Sequence, residues 1–139
     1  MAWIAAPTTF RRLTALVAAC FAVAAFAAEP PIVVKKRTRA GQEVVLRGFA
    51  EFDGQCRLKQ VPSIVVARAP TGGSVETRPG DVVIGPNWVG AGQCQGTTLR
   101  GVQVFYVPAP GFAGTDRFAL DVGYSEGRTV RAEVEVDVR

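Results

Sequence analysis

Cys56 and Cys94 are the residues of this chain best placed to do chemistry together, and that chemistry is a disulfide. The sequence holds three cysteines. The third, Cys20, sits in an apolar N-terminal run. Removing that run with a cleaved leader leaves an even pair bound for an oxidising compartment. Both cysteines stand in similar turns, G-Q-C-R and G-Q-C-Q-G. A bridge closing a loop of roughly 40 residues contributes about 4 kcal/mol in the chain-entropy model. Two free reactive thiols are the rival state. A metal centre needs more ligands than two cysteines, and the chain has no histidine and no C-x-x-C to supply them.

The absence of histidine also removes the Ser-His-Asp and Cys-His arrangements of nucleophilic catalysis. Ser63, Ser74 and Ser125 lie in neither a G-x-S-x-G elbow nor an S-x-x-K pair. Glu133, Glu135 and Asp137 form a carboxylate row of the kind that paired-acid hydrolysis uses. They alternate with valines and are interleaved with Arg131 and Arg139, which is the pattern of a solvated sheet face. No Gly-rich loop precedes a helix, so nucleotide binding has no support. No cofactor is expected.

Recognition is the chemistry that remains. Gly85 to Gly101 reads as a long irregular stretch, far longer than an ordinary hairpin link. It carries Trp88, Asn87 and Arg100, the candidate binding residues. Trp88 can equally fill the core or cover the disulfide. The basic run Lys35-Lys36-Arg37-Thr38-Arg39 can touch an anionic surface or simply keep a sheet edge from pairing. It lacks the aromatic interleaving that nucleic-acid stacking needs, so no nucleic-acid partner is expected.

These residues must be positioned by an all-β framework. Residues 1–27 read as a signal peptide: Arg11 and Arg12, the apolar run Leu13 to Ala27, and the small-x-small site Ala25-Phe26-Ala27. The run falls short of a membrane span. Val17-Ala18-Ala19-Cys20 also resembles a lipobox, so a lipid anchor through Cys20 is the one route to a membrane. The net charge of +4 includes Arg11 and Arg12 and carries little information about partners.

Residues 28–139 then form one domain of a size that buries a core. Strands are expected at Ile32–Arg37, at Glu43–Phe52 with Val44, Leu46, Gly48, Ala50 and Phe52 on one face, and at Ser63–Arg68 as a buried run. Ser74–Arg78 and Asp81–Ile84 read as two strands separated by a Pro79-Gly80 turn. Val102–Val107 follows, with both faces apolar. Phe118, Leu120, Val122 and Tyr124 share a face of the next strand. In the last, Val130, Ala132, Val134, Val136 and Val138 alternate strictly with polar residues. A short Ser125-Glu126-Gly127 link makes the final pair a hairpin. About seven short strands with turns between them imply a two-sheet antiparallel sandwich.

The connection Pro108-Ala109-Pro110-Gly111-Phe112-Ala113-Gly114-Thr115-Asp116 reads as a structural corner. Proline ends the preceding strand, and Gly111 and Gly114 allow backbone angles closed to other residues. Phe112 is apolar enough to plug the open end of the sandwich, and Asp116 can accept backbone N–H bonds. The pattern Y-x-P-x-x-G-F-x-G-T-D-x-F over residues 106–118, with two alternating strands after it, resembles bacterial cadherin-like and Ig-like repeat domains of secreted and surface proteins. A-P-T-G-G-S-V at 69–75 resembles the P-x-x-G-x-V turn of those domains. The resemblance implies an Ig-like (cadherin-like) sandwich and a noncatalytic role in adhesion or spacing. Calcium-binding members carry clustered aspartates. Here the stretch Glu51-Phe52-Asp53-Gly54-Gln55-Cys56 has no D-x-D, and the six to eight oxygen ligands of a calcium site are not in sight.

The expectation is therefore an exported binding or adhesion-type module, periplasmic or at the cell surface, that recognises a protein or a glycan. A structural accessory of the bacterial cell envelope, anchored through Cys20, is the alternative.

Overall fold

The computed structural model describes residues 28–139; the leader read over 1–27, with Cys20, lies outside the described residues. Nine strands run in order: β1 (Ile32–Thr38), β2 (Val44–Phe49), β3 (Glu51–Phe52), β4 (Leu58–Gln60), β5 (Ser63–Arg68), β6 (Gly73–Val83), β7 (Thr98–Pro108), β8 (Gly114–Gly123) and β9 (Thr129–Val138). Seven of them build the two main sheets, β1-β9-β8-β5 and β2-β7-β6, while β3 and β4 form a small separate ribbon. The protein is an all-β, Ig-like two-sheet sandwich. Every pairing is antiparallel except β1 with β9, which run parallel along one edge.

The alternating strands form the core between the sheets. Val134, Val136, Val138, Ala132, Phe118, Leu120 and Val122 face Leu46, Phe49, Val104 and Tyr106, all buried. Tyr106 stacks on Phe118 with ring centroids 5.6 Å apart, bringing the two sheets into contact. On the outer side of β8, Ala119 is fully buried. Its register neighbours Arg68 and Glu133 close over it with an ion pair at 2.8 Å.

Four readings of the sequence need correction. Glu43–Phe52 is not one alternating strand. A bulge between Val45 and Arg47 inserts an extra residue, so Leu46, Phe49 and Ala50 are the buried ones and the phase changes mid-strand. Pro79-Gly80 is not a turn, because β6 passes straight through both. Proline is tolerated there because β6 is an edge strand, and Gly80 pairs with Gly101. Gly101 has no room for a side chain: a Cβ would lie 2.4 Å from the Phe49 carbonyl and 2.8 Å from Val82. Ser63–Arg68 is not a buried run. It is the edge strand β5, with Val65 and Val66 exposed. Finally, the irregular stretch ends before Thr98, so residues 98–101 belong to β7.

Candidate binding site

The loop between β6 and β7, residues 85–96, is tied down at its base and at its middle. Ile84 N–H donates to the Thr97 carbonyl and Gly96 N–H to the Ile84 carbonyl, both at 2.9 Å. Cys94 is disulfide-bonded to Cys56, as the cysteine count implied. Around the bridge, Ile84, Ala91 and Cys94 make a second, smaller core, with Phe52, Trp88 and Leu99 packed against it. Cys56 adopts a left-handed backbone (φ 62°). Asp53 holds it there by accepting the N–H groups of Gln55 and Arg57 at 2.9 and 3.0 Å. Those bonds hold the Asp53 carboxyl below its ordinary value against the opposing pull of burial. The Gln93 side chain reaches back to the Gly54 carbonyl at 3.1 Å. A loop this constrained loses little further freedom on binding.

Trp88 is half-buried and spends its ring on two neighbours. Its indole edge lies over Gly85, where a Cβ would approach Nε1 to 3.2 Å. The Arg47 guanidinium stands over the ring at 5.1 Å from the centroid, and 5.8 Å from the Phe49 ring. Arg47 Nε is closed off from solvent with no hydrogen-bond acceptor among the described residues. Burial pushes this guanidinium below its ordinary value.

The Arg47–Trp88 pair separates two clefts. The smaller, about 370 Å³, is lined by Asn87 and Trp88 together with Phe52, Tyr124 and Arg128. Its carboxylates are already engaged. Glu29 pairs with Arg128 at 3.1 Å, Glu51 accepts the Ser125 N–H and hydroxyl at 2.8 and 2.6 Å, and Asp53 holds Arg57. Arg128 also covers the Tyr124 ring at 4.2 Å, and burial raises that phenol above its usual range. The larger cleft, about 470 Å³, is lined by Lys35, Lys36, Arg47, Gly48, Trp88, Gln103 and Asp81 among others. Its one carboxylate, Asp81, pairs with Arg100 at 3.1 Å.

The structure thus brings Asn87 and Trp88 together and leaves Arg100 out. Arg100 lies on β7 rather than in the loop, exposed and paired to Asp81 across the β6–β7 ladder, and it lines neither cleft. The expectation that it belongs to the Trp88 site is corrected accordingly. Part of the basic run, Lys35 and Lys36, does reach the site. Arg47 was missed. Its signal was a lone charge inside V-V-L-R-G-F, a stretch otherwise apolar enough for the core.

At the opposite end of the sandwich, Asp116 is buried and ties two turns together. It accepts Thr71 N–H at 3.0 Å, the Thr71 hydroxyl at 3.2 Å, Gly72 N–H at 2.7 Å and the Tyr106 hydroxyl at 2.8 Å. Burial by itself raises the Asp116 pKa. The donated bonds outweigh it and hold the carboxyl below the usual value. Burial, with Asp116 as partner, pushes the Tyr106 phenol well above its usual range. Phe112 is half-buried and lies so close to Gly72 that a Cβ there would be 2.4 Å from its ring. Gly111 (φ 77°) and Gly114 (φ 128°) occupy the backbone region that favours glycine.

On the outer sheet face, Glu133, Glu135 and Asp137 pair with Arg68, Arg117 and Arg139 at 2.8, 2.9 and 2.9 Å. Among the described residues no group of three or more Cys, Asp or Glu is placed to hold a metal ion. A comparison with protein-family models returned no match, and neither did a comparison with curated proteins.

Proposed function

We propose that this protein is an exported, noncatalytic binding module that recognises a protein or a glycan at the Trp88 end of its sandwich. The observation carrying the reading is the disulfide-tethered loop, which sets Trp88 and Asn87 into the walls of clefts on a rigid frame. Binding residues concentrate on loops of this kind, and tryptophan is enriched at interface hot spots. The bridge itself supports an oxidising compartment. The resemblance of residues 102–139 to bacterial cadherin-like and Ig-like repeats supports a recognition role.

The test is to probe arrays of envelope proteins and surface glycans with the purified, natively processed protein, then repeat with Trp88→Ala and Asn87→Ala. A partner whose binding falls about tenfold or more with Trp88→Ala, at the hot-spot scale, supports the reading. Partners that bind both variants as tightly as the wild type would move recognition elsewhere.

A further inference from the structure

Arg47, which borders both clefts, has a feature that packing alone leaves unexplained. Arg47 makes no ion pair and no hydrogen bond among the described residues, and its Nε is sealed from water. A partly buried charge without a counter-charge is a net cost to folding. Arg100 and Arg128 do not share this state, since each holds a carboxylate. Lys35 and Lys36 line the larger cleft on the edge strand β1, and among the described residues neither forms an ion pair. Lys36 follows Val34 by two positions, so it shares the inward side of the edge strand. Lys35 points the other way, opposite Glu135 in the β1–β9 register, so the inward cations are Arg47 and Lys36, and against them stands Asp81, already paired to Arg100. The cleft therefore holds positive charge with nothing of its own to neutralise it.

The geometry points to this cleft as a binding site for an anionic polysaccharide, with Arg47 as the residue that meets an acidic group and Lys36 beside it. This rests on the binding-module reading and names its ligand. Trp88 positions the guanidinium by stacking on it, which leaves the terminal nitrogens as the ones a ligand can reach. A sugar chain is favoured over an acidic peptide by the strand next to the cleft. An extended peptide would add to an open sheet edge, and on β2, the strand that carries Arg47, the bulge between Val45 and Arg47 breaks the regular spacing of backbone donors and acceptors. The edge strand β1 at the cleft keeps a regular register, and the poly-L-glutamate titration tests it. What remains is recognition through side chains: cations, the Gln103 amide and the rim of an indole. Uronic-acid carboxylates and sugar-linked phosphates are two sources of the same chemistry.

Calorimetric titration of the natively processed protein with polygalacturonate, phosphomannan, neutral dextran and poly-L-glutamate tests this. Either acidic polysaccharide should bind and should weaken as salt rises, and whichever binds identifies the acidic group. Arg47→Gln should weaken it by about thirtyfold or more, the scale for truncating one partner of a buried charge pair, and Lys36→Gln by less. Arg47→Met separates ligand binding from folding, because it keeps the apolar stem and removes the unpaired charge. It should melt at or above the wild-type temperature while losing the ligand. A lower melting point for Arg47→Met with affinity retained makes the residue structural and overturns the proposal. Dextran binding as well as the acidic polymers overturns anion recognition but leaves the binding-module reading intact. Binding of poly-L-glutamate alone overturns the glycan class. If no probe binds, the anionic polysaccharide is excluded, and the binding-module reading then stands or falls on the Trp88-dependent arrays alone.

Discussion

Replacing Asp116 with alanine removes four acceptor contacts at once and strands donors that water cannot reach. Gly72 N–H and the Tyr106 hydroxyl are buried, while Thr71 is more open and recovers solvent. An orphaned buried donor costs about 1–3 kcal/mol, so two of them give about 4 kcal/mol, with about 2 as a floor. For a domain near 100 residues that is a fall in melting temperature of well over 10 °C, at about 4 °C or more per kcal/mol. The titration of Asp116 gives a second, independent signature. Its folded pKa lies below the unfolded value of about 3.9, so its contribution is complete above that pH and is lost as pH falls through the folded value. Asp116→Asn should therefore flatten the acid limb of the stability curve below about pH 4. Some slope remains, because Glu51 and Asp53 are also held below their usual values. Tyr106 works in the opposite direction. Its folded pKa is raised, so its contribution is complete below the unfolded value of about 10 and is lost as pH climbs past it. Tyr106→Phe should cost about 1–2 kcal/mol at neutral pH by removing one bond. It should then resist alkaline unfolding better than the wild type relative to its own neutral stability. Urea melts from pH 2.5 to 11 read all of this. An Asp116→Ala variant within 1 kcal/mol of wild type, with an unchanged acid limb, would refute the corner as the joint between these two turns.

Three further outcomes are expected. Reducing the Cys56–Cys94 bridge, which spans a separation of 38 residues, should lower stability by about 4 kcal/mol and loosen the Trp88 loop first; thiol-dependent melts with hydrogen exchange on residues 85–96 check both. Gly111→Val and Gly114→Val should each cost about 1–3 kcal/mol because both backbones lie in the region that favours glycine, and denaturant midpoints equal to wild type would count against that. Intact mass of protein taken from cells should correspond to a chain starting at Ala28 without lipid; retention of residues 1–27, or diacylglycerol on Cys20, would contradict the cleavage reading.

Strict period-two strands were the legible part of this fold. Each of Val130, Ala132, Val134, Val136 and Val138 is buried, and so are Phe118, Leu120 and Val122, because a strand with one wet face cannot shift by a residue without exposing them. The bulge in β2 was not legible. Nothing in V-V-L-R-G-F marks where a residue is inserted, and the phase change is set by pairing with β7, far away in sequence. The run through Pro79-Gly80 failed for a related reason. Proline and glycine punctuate turns on average, but an edge strand leaves the missing N–H on its open side and a Gly–Gly pair accommodates close backbones.

The site divides along the same line. Trp88, Asn87 and the cysteines were visible because each residue type carries its own signal. Arg47 acquires significance only through its surroundings: its guanidinium lies near the Phe49 ring and over Trp88 from a loop some forty positions away, and Lys36 from the first strand lines the same cleft. A charge in an apolar strand reads as an interruption of the pattern until the fold shows what lies over it. Arg100 is the converse case. Read in the loop, it looked free to bind, yet the β6–β7 ladder places it directly opposite Asp81, which takes its charge. The two arginines are alike in the sequence and differ in whether the fold supplies a carboxylate. That difference, rather than exposure, is why recognition is assigned to Arg47.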